Sequence, residues 1–155
     1  MTNISNDLIT IEKNLGYSFR NKDLLNRALT RRAYGLEQKQ QNQECEDQEI
    51  YRVLGDAVLR AVLVDLLIKS GCSTREEITT KKQRLEREEM LDQIGRKLSI
   101  GPFIKLGIGE KKQNADQEPK VIAETLEAII GSIYVDGGYE TAKSVIAQWF
   151  KDLFI

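Results

Sequence analysis

The chain has 155 residues, enough for one domain with its own hydrophobic core, and we expect a single domain over residues 1–155. Its 41% of hydrophobic and 30% of charged residues predict a soluble globular protein, and its longest apolar stretch is too charged to span a membrane. The formal net charge is −1 and histidine is absent, which excludes histidine metal ligands and general bases and provides no basic excess for phosphates. Cys45 and Cys72, in a sequence whose N-terminus does not resemble a signal peptide, predict free thiols in a reducing compartment, by default the cytoplasm.

Helical periodicity dominates the first half of the chain. Apolar residues spaced three and four apart predict a short helix that ends at Gly16 and a second helix that begins after Asn21, a favourable N-cap. Residues 35–48 are rich in Gln and Glu without an apolar period, which predicts a mobile loop. The longest helix is expected from about Glu49 to Ser70. It is apolar on almost every side from its middle onward, which is typical of a helix at the centre of a bundle.

The second half of the chain continues in helices. Thr74 and Glu77 form the pattern of a capping box at the start of the next helical stretch. Residues 107–119 contain Gly, Lys, Asn and Gln and predict a second solvated loop. The following helix is expected to start at Pro119 and to stop at residues 137–138, two glycines, before a last amphipathic helix. Because no convincing strand pattern occurs, the predicted fold class is all-α, a helical bundle.

Two helical segments carry carboxylates beside apolar residues. Glu49, Arg52 and Asp56 share one face of the predicted central helix, because residues three, four and seven apart stack along a helix. Glu124 and Glu127 are three apart within a second apolar segment. A carboxylate beside apolar surface is costly unless it is paired or binds a cation, and oxygen ligands suit a hard ion such as Mg²⁺ or Mn²⁺. On spacing alone a solvated helix face is the more common explanation, so both interpretations stay open.

Three parts of the chain are similar, in order, to the motifs of a known enzyme family. Residues 11–34, which contain I-E-K-N-L-G-Y-S-F-R and L-L-N-R-A-L-T-R-R-A-Y, resemble the opening of bacterial ribonuclease III. Residues 51–59, Y-R-V-L-G-D-A-V-L, resemble the family signature, usually close to L-E-F-L-G-D-S-V-L. Residues 124–138, E-T-L-E-A-I-I-G-S-I-Y-V-D-G-G, resemble the second acidic motif, usually D-x-x-E-A-I-I-G-A-I-Y-L-D-G-G. The similarity covers nearly the whole chain with family-like spacing.

The resemblance implies an all-helical ribonuclease III-type endonuclease domain that dimerises and carries an acidic cluster along a valley for double-stranded RNA. In that family a divalent ion, Mg²⁺ or Mn²⁺, activates water for in-line attack on a phosphodiester, leaving a 5′-phosphate and a short 3′ overhang. The implied partners are double-stranded RNA and a second copy of the chain, with no membrane and no small-molecule cofactor. Because the similarity ends with the nuclease domain, the separate double-stranded-RNA-binding domain of typical members is not expected.

The resemblance also assigns candidate site residues. Asp56 and Glu127 match catalytic and metal-ligand positions with the usual residue, and Glu124 stands where the family usually has an aspartate ligand. Glu49 matches an acid that often precedes the signature. Glu76 is a further candidate valley acid, and a one-residue length difference around it leaves that match open.

Arg52 is the main departure from the family pattern, because the signature has a metal-ligand glutamate at this position. A guanidinium group has no acceptor atom and cannot ligate a metal. Two interpretations stay open: Arg52 pairs with Glu49 or Asp56 and occupies part of the metal's space, or it swings outward to solvent or an RNA phosphate. Val53 also replaces the aromatic residue that is common at the family's dimer contact.

Basic residues crowd the helical stretch that follows Thr74. The candidate RNA contacts among them are Lys81, Lys82 and Arg84. Interspersed glutamates make a solvated face the more common explanation of this pattern.

The sequence leaves three functions open. The first is a metal-dependent endoribonuclease for double-stranded RNA, acting through Asp56, Glu124 and Glu127 and impaired by Arg52. The alternative is a catalytically inactive ribonuclease III-like dimer that binds structured RNA or a ribonucleoprotein. The third is a dimerising subunit that supplies one half-site beside an active relative. Arg52 is the residue that distinguishes these functions. Its positive charge beside the site weakens Mg²⁺ binding and favours an inactive protein, whereas the retained acids favour the nuclease.

Overall fold

The computed structural model describes residues 4–154, with side chains from residue 6 onward, so both ends of the predicted domain lie outside the described residues. Within this part of the chain the regular structure is helical, apart from an isolated β-type bridge between Thr30 and Lys105, and the predicted all-α class is confirmed. The α-helices are α1 (Ile4–Leu15), α2 (Lys22–Ala28), α3 (Arg32–Gln40), α4 (Glu49–Lys69), α5 (Arg75–Leu85), α6 (Glu88–Lys97), α7 (Ile108–Lys112) and α8 (Pro119–Trp149). Short 3₁₀ helices span Gly101–Phe103, Ala115–Gln117 and Lys151–Leu153.

The core forms around α4, which packs along α8. Both helices are rich in apolar residues, but they bury them differently. The buried residues of α4 lie along one stripe, with Val53, Ala57 and Ile68 exposed on the other sides, whereas α8 buries side chains on most sides before Gly138. The buried aliphatic residues of α4 are Val58, Leu59, Val62, Leu63 and Leu67. Those of α8 include Val121, Ile122, Leu126, Ile129, Ile130 and Ile133. Burying one such side chain contributes about 1.5–3 kcal/mol, so this contact fixes the two helices that carry the candidate acids.

The helix starts follow the capping chemistry of the sequence. The Asn21 side chain accepts a hydrogen bond from the backbone N–H of Asp23 at 3.0 Å, as expected for an N-cap. Thr74 accepts from the N–H of Glu77 at 3.2 Å, and the carboxylate of Glu77 accepts in return from the N–H of Ser73 at 3.1 Å. The returning bond of the predicted capping box therefore reaches one residue further back than the pattern indicates.

Glycines end the helices where the sequence predicts. Gly16 follows α1 with φ +76°, and Gly138 breaks α8 with φ +85° and ψ 178°. Both conformations lie in the region that glycine adopts without steric cost. The α8 segment before Gly138 carries all the candidate acids of the second motif.

Both predicted loops are wrong in part, because each contains a helix. Residues 35–40 belong to α3, and residues 108–112 form α7. The carboxylate of Glu37 accepts from the backbone N–H of Ile108 at 2.9 Å, and Glu110 accepts from that of Gly107 at 3.0 Å. The first bond joins the two helices across the fold, and the second is a local cap at the start of α7. These polar helices are held by such bonds rather than by an apolar stripe, so their sequences show no helical period.

A carboxylate near the break in α8 ties that helix to the turn between α1 and α2. Asp136 accepts from the hydroxyl of Tyr17 at 2.5 Å and from the backbone N–H groups of Arg20 at 2.8 Å and Asn21 at 3.0 Å. Burial opposes ionisation of Asp136, but these hydrogen bonds outweigh it and lower the pKa of the carboxyl group. Burial and the bond to Asp136 raise the pKa of Tyr17 to about 12.

Among residues 4–154, each helix is too short or too polar to serve as a membrane-spanning segment. Cys45 and Cys72 are both free thiols, as predicted. The expected cytoplasmic location stays a prediction.

Candidate active site

The candidate site lies where α4 and α8 cross with their backbones in direct contact. A Cβ atom on Gly55 of α4 would lie 1.6 Å from the carbonyl oxygen of Glu127. A Cβ atom on Gly131 of α8 would lie 2.3 Å from the carbonyl oxygen of Tyr51. The helices therefore approach this closely because glycine occupies both positions. The crossing sets Asp56, which follows Gly55, beside Glu127.

Asp56 and Glu127 lie within hydrogen-bonding reach of each other. Burial, this hydrogen bond and the negative charge of Asp56 raise the pKa of Glu127 to about 8, and the positive charge of Arg52 offsets part of the rise. Two carboxyl groups side by side cannot both ionise at low cost without a cation, which is why the pKa of Glu127 is raised. The pair is a place where an external cation would be stabilised.

Glu124, one turn before Glu127, is held by Arg31 and Arg52, which we name the arginine clamp. Arg31 Nη1 donates to Glu124 Oε1 at 3.0 Å, and Arg52 Nη2 donates to Glu124 Oε2. The side chains of Glu124, Arg31 and Arg52 are 14%, 16% and 27% exposed. Each oxygen of Glu124 thus binds a guanidinium group in a poorly hydrated place, where solvent screens charges less than at an open surface. Arg52 therefore turns inward rather than outward to solvent.

Further acceptors fix the arginine clamp in place. Arg31 donates to Glu110 at 3.1 Å and to Gln48 at 3.1 Å, whereas Arg52 donates to Glu49 at 2.9 Å. Burial opposes the charge of Arg31, but its hydrogen bonds to carboxylates and their negative charges outweigh burial and raise its pKa. The Nε atom of Arg52 is buried without a hydrogen-bond partner among the described residues. Arg31 is therefore more completely satisfied than Arg52.

The predicted ligand set is only partly arranged for a metal ion. Within residues 4–154, no three Asp, Glu, Cys or His side chains are grouped so that they could hold a metal, and Glu124 has both oxygens on guanidinium groups. Asp56 and Glu127 do fit a divalent ion, because two neighbouring carboxyl groups supply oxygen ligands and a cation between them would offset the repulsion of their charges. Mg²⁺ commonly binds through one or two carboxylates and keeps several waters. The assignment of Asp56, Glu124 and Glu127 as ligands, and of Asp56 and Glu127 as catalytic, stays a prediction.

The two additional acids lie in different surroundings. Glu49 lies at the edge of the site through its ion pair with Arg52. Glu76 lies in the first turn of α5, 78% exposed and 3.9 Å from Arg75, a contact that does not connect it to the other acids. The structure therefore brings Glu49 to the site and leaves Glu76 outside it.

Ion pairs connect α5 to the site. Arg60 lies 3.5 Å from Asp56 and 3.6 Å from Glu86, and Lys82 lies 3.3 Å from Glu86. Lys82 is therefore paired within the chain. The exposed candidates on the same helix are Lys81 and Arg84. The RNA contacts assigned to these residues stay predictions.

Sequence reasoning missed Arg31 as a site residue. No periodicity relates it to Glu124, which lies 93 positions later. Gln48, predicted to lie in a mobile loop, is fully buried and donates to the carbonyl oxygen of Ala28 at 2.8 Å while its own oxygen accepts from Arg31. The first arginine of an Arg-Arg pair and a glutamine before a helix are ordinary surface features, so their roles emerge only in three dimensions.

Comparison with known proteins gives the family. Residues 21–153 match the family described as Ribonuclease-III-like. Ribonuclease 3 of Bdellovibrio bacteriovorus is 34% identical over 145 residues, which are 93% of this chain and 61% of that protein. Ribonuclease 3 of Pseudomonas putida is 34% identical over 152 residues, which are 97% of this chain and 62% of that protein. This chain therefore spans about three-fifths of the length of these relatives.

Solved structures agree with the sequence matches. The crystal structure of the nuclease domain of ribonuclease III from Campylobacter jejuni has a TM-score of 0.82 at 28% identity, covering 99% of this chain and 97% of that one. A second structure of that domain, which describes flexibility in a region involved in dimer formation, has a TM-score of 0.82 at 27% identity and covers 92% and 95%. By its sequence and its fold, this chain belongs to the ribonuclease III family and corresponds to that family's nuclease domain.

Proposed function

We propose that this chain is a metal-dependent endoribonuclease that cleaves double-stranded RNA as a homodimer. The observation that carries the proposal is the facing pair Asp56 and Glu127 at the crossing of α4 and α8. The relatives named Ribonuclease 3 support it, because they align with nearly all of this chain.

Asp56 and Glu127 would hold the divalent ion, Mg²⁺ or Mn²⁺, with Glu124 as the third candidate ligand. Such an ion lowers the pKa of water and offsets the negative charge that develops on a phosphate under attack. The chain's own part is to hold oxygen donors in fixed positions. The close crossing at Gly55 and Gly131 fixes the backbone beneath them, and partial burial leaves their charge poorly screened.

Exposed residues beside the site support the two partners of the proposal. Ile50 and Val53, on α4, are 65% and 75% exposed, so a second copy of the chain would bury apolar surface next to the acids. Lys81, exposed on α5, is a candidate phosphate contact. A-form RNA is recognised largely by shape and backbone, because side chains cannot enter its deep major groove.

The test is cleavage of a long RNA duplex by the purified protein in Mg²⁺ and in Mn²⁺. We expect cleavage that falls about 100-fold or more in Glu127→Gln, because the amide replaces a charged ligand of the ion. Glu140→Gln is the matched control, because Glu140 lies on the same helix and is 84% exposed, and we expect it to cleave like the parent. A parent that is silent in both metals, or cleavage that survives in Glu127→Gln, contradicts the proposal.

Arg52 favours a second candidate function, a catalytically inactive dimer that binds structured RNA or a ribonucleoprotein. It places a permanent positive charge on α4 and binds Glu124, which would otherwise be available to a metal. In the same assay, a silent parent with an active Arg52→Glu variant identifies a nuclease that has lost its activity. Silence in both proteins, with retardation of duplex RNA on a native gel, supports the binding function.

A further inference from the structure

Glu124 and Glu127 lie one helical turn apart and have opposite partners. Both oxygens of Glu124 bind guanidinium groups of the arginine clamp, whereas the neighbour of Glu127 is another carboxyl group. A cation that enters the site would offset the repulsion between Glu127 and Asp56. At Glu124 it would meet a carboxylate that is already paired with two guanidinium groups. The third candidate ligand is therefore occupied by the chain itself.

The two arginines are held in place before any ligand arrives. Arg31 binds Glu110 and Gln48 as well as Glu124, and Arg52 also binds Glu49. Long side chains that are already ordered lose little further conformational entropy when they bind one more carboxylate, which strengthens their hold on Glu124. The unpartnered Nε of Arg52 shows that this arginine is the less completely bonded of the two.

We infer that the arginine clamp is an internal counter-cation that competes with a divalent ion for Glu124. The inference deepens the proposed function and rests on its assignment of the ion to Asp56 and Glu127. An ion at that pair gains Glu124 as a ligand only when a guanidinium group leaves it, and until then it meets the repulsion of Arg52. The clamp therefore lowers the affinity of the site for the ion, and removing the charge at position 52 raises it.

Direct titration with Mn²⁺ tests the inference without RNA or catalysis. Free Mn²⁺ is followed by its electron paramagnetic resonance signal while it is added to the parent, to Arg52→Gln and to Lys69→Gln. Lys69 is the matched control, because it is also on α4 and is 61% exposed, and its ion pair, at 3.9 Å, is with Asp65 rather than with a candidate ligand. We expect the dissociation constant to fall about tenfold or more in Arg52→Gln and less than about threefold in Lys69→Gln, since the second variant makes the same change in net charge away from the site.

Glu127→Gln in the Arg52→Gln background locates the bound ion. We expect the gained affinity to disappear in this double variant, and thermal melts followed by circular dichroism check that every variant is folded. Equal tightening in Arg52→Gln and Lys69→Gln, no tightening, or tight binding that survives Glu127→Gln overturns the inference.

The cleavage assay separates this inference from the proposed function. If the parent cleaves RNA and Arg52→Gln binds Mn²⁺ no more tightly than the parent does, the inference about the arginine clamp is wrong and the proposed nuclease function is still supported. A silent parent together with a tightened Arg52→Gln variant supports the clamp and contradicts the activity.

Discussion

Glu127 and Asp136 are carboxylates on the same straight part of α8, and their surroundings shift their pKa values in opposite directions. Asp136 accepts three hydrogen bonds, from the hydroxyl of Tyr17 and two backbone N–H groups, and its pKa is lowered although burial opposes this. Burial and the neighbouring carboxyl of Asp56 raise the pKa of Glu127 to about 8. One carboxylate is stabilised as an anion by the folded chain, and the other is not.

The difference separates a structural acid from a candidate functional acid. The donors around Asp136 join α8 to the turn between α1 and α2, so its charge contributes to the fold. Glu127 is held against Asp56 by the backbone contact at Gly55, and the positive charge of Arg52 offsets only part of the rise in its pKa. Carboxyl groups with strongly raised pKa values are typical of functional sites, which is why Glu127 and not Asp136 marks the candidate site.

The largest effect is expected where Gly55 allows α4 to approach Glu127. Alanine is favoured over glycine by up to about 1 kcal/mol in a helix interior, so a loss of stability in Gly55→Ala must come from steric overlap. The added Cβ would lie 1.6 Å from the carbonyl oxygen of Glu127, which forces the helices apart. We expect the free energy of unfolding in urea to fall by about 3 kcal/mol or more.

Gly109→Ala is the control for this prediction, because a Cβ on Gly109 meets no atom within 4 Å. We expect it to leave stability unchanged or slightly higher. If the two alanine variants unfold within about 1 kcal/mol of each other, the crossing does not depend on the glycine contact.

Asp136→Asn should produce the next largest loss, because an amide weakens three hydrogen bonds to a charged acceptor. We expect the free energy of unfolding to fall by about 2–3 kcal/mol at pH 7. Since the pKa of Asp136 is lowered by folding, its contribution is present above the unfolded value of about 3.9 and is lost as pH falls through the folded value. Urea unfolding from pH 7 to pH 3 should therefore narrow the difference between the variant and the parent, whereas exposed Glu140→Gln should follow the parent throughout.

The helices that were predicted correctly are marked by features within their own sequence segments. Gly16 and Asn21 mark the boundaries of α1 and α2 through local turn and capping chemistry, and the apolar surface of α4 predicts a central helix from composition alone. The helices that were missed, α3 and α7, are joined by the bond from Ile108 to Glu37, which is made across the fold, and α7 begins with a local cap from Glu110 to Gly107. Neither bond leaves an apolar period in the sequence.

The residues of the candidate site also fall into those that the sequence could predict and those that only the fold brings together. Asp56 and Glu127 could be matched because their motifs resemble those of a family, but spacing alone could not show that the two helices meet. The inward turn of Arg52 was one of two interpretations that helix spacing allowed. Arg31 could not be predicted, since its bond to Glu124 joins residues 93 positions apart and depends on how α8 packs.

The smallest predicted effect has the opposite sign from that at Asp136. Because folding raises the pKa of Glu127 to about 8, the stabilising contribution of this carboxyl group is fully present below its unfolded pKa of about 4.3 and is lost as pH rises through 8. Glu127→Gln cannot ionise, so its stability should exceed that of the parent by about 1–2 kcal/mol near pH 8.5, an amount reduced from the full shift because the side chain is only partly buried. The measurement is urea unfolding at pH 5 and pH 8.5 without divalent ions, in which the advantage of the variant should grow with pH. A variant that is less stable than the parent at both values would mean that the Asp56–Glu127 pair contributes to the fold as Asp136 does, and the contrast between the two carboxylates would then be lost.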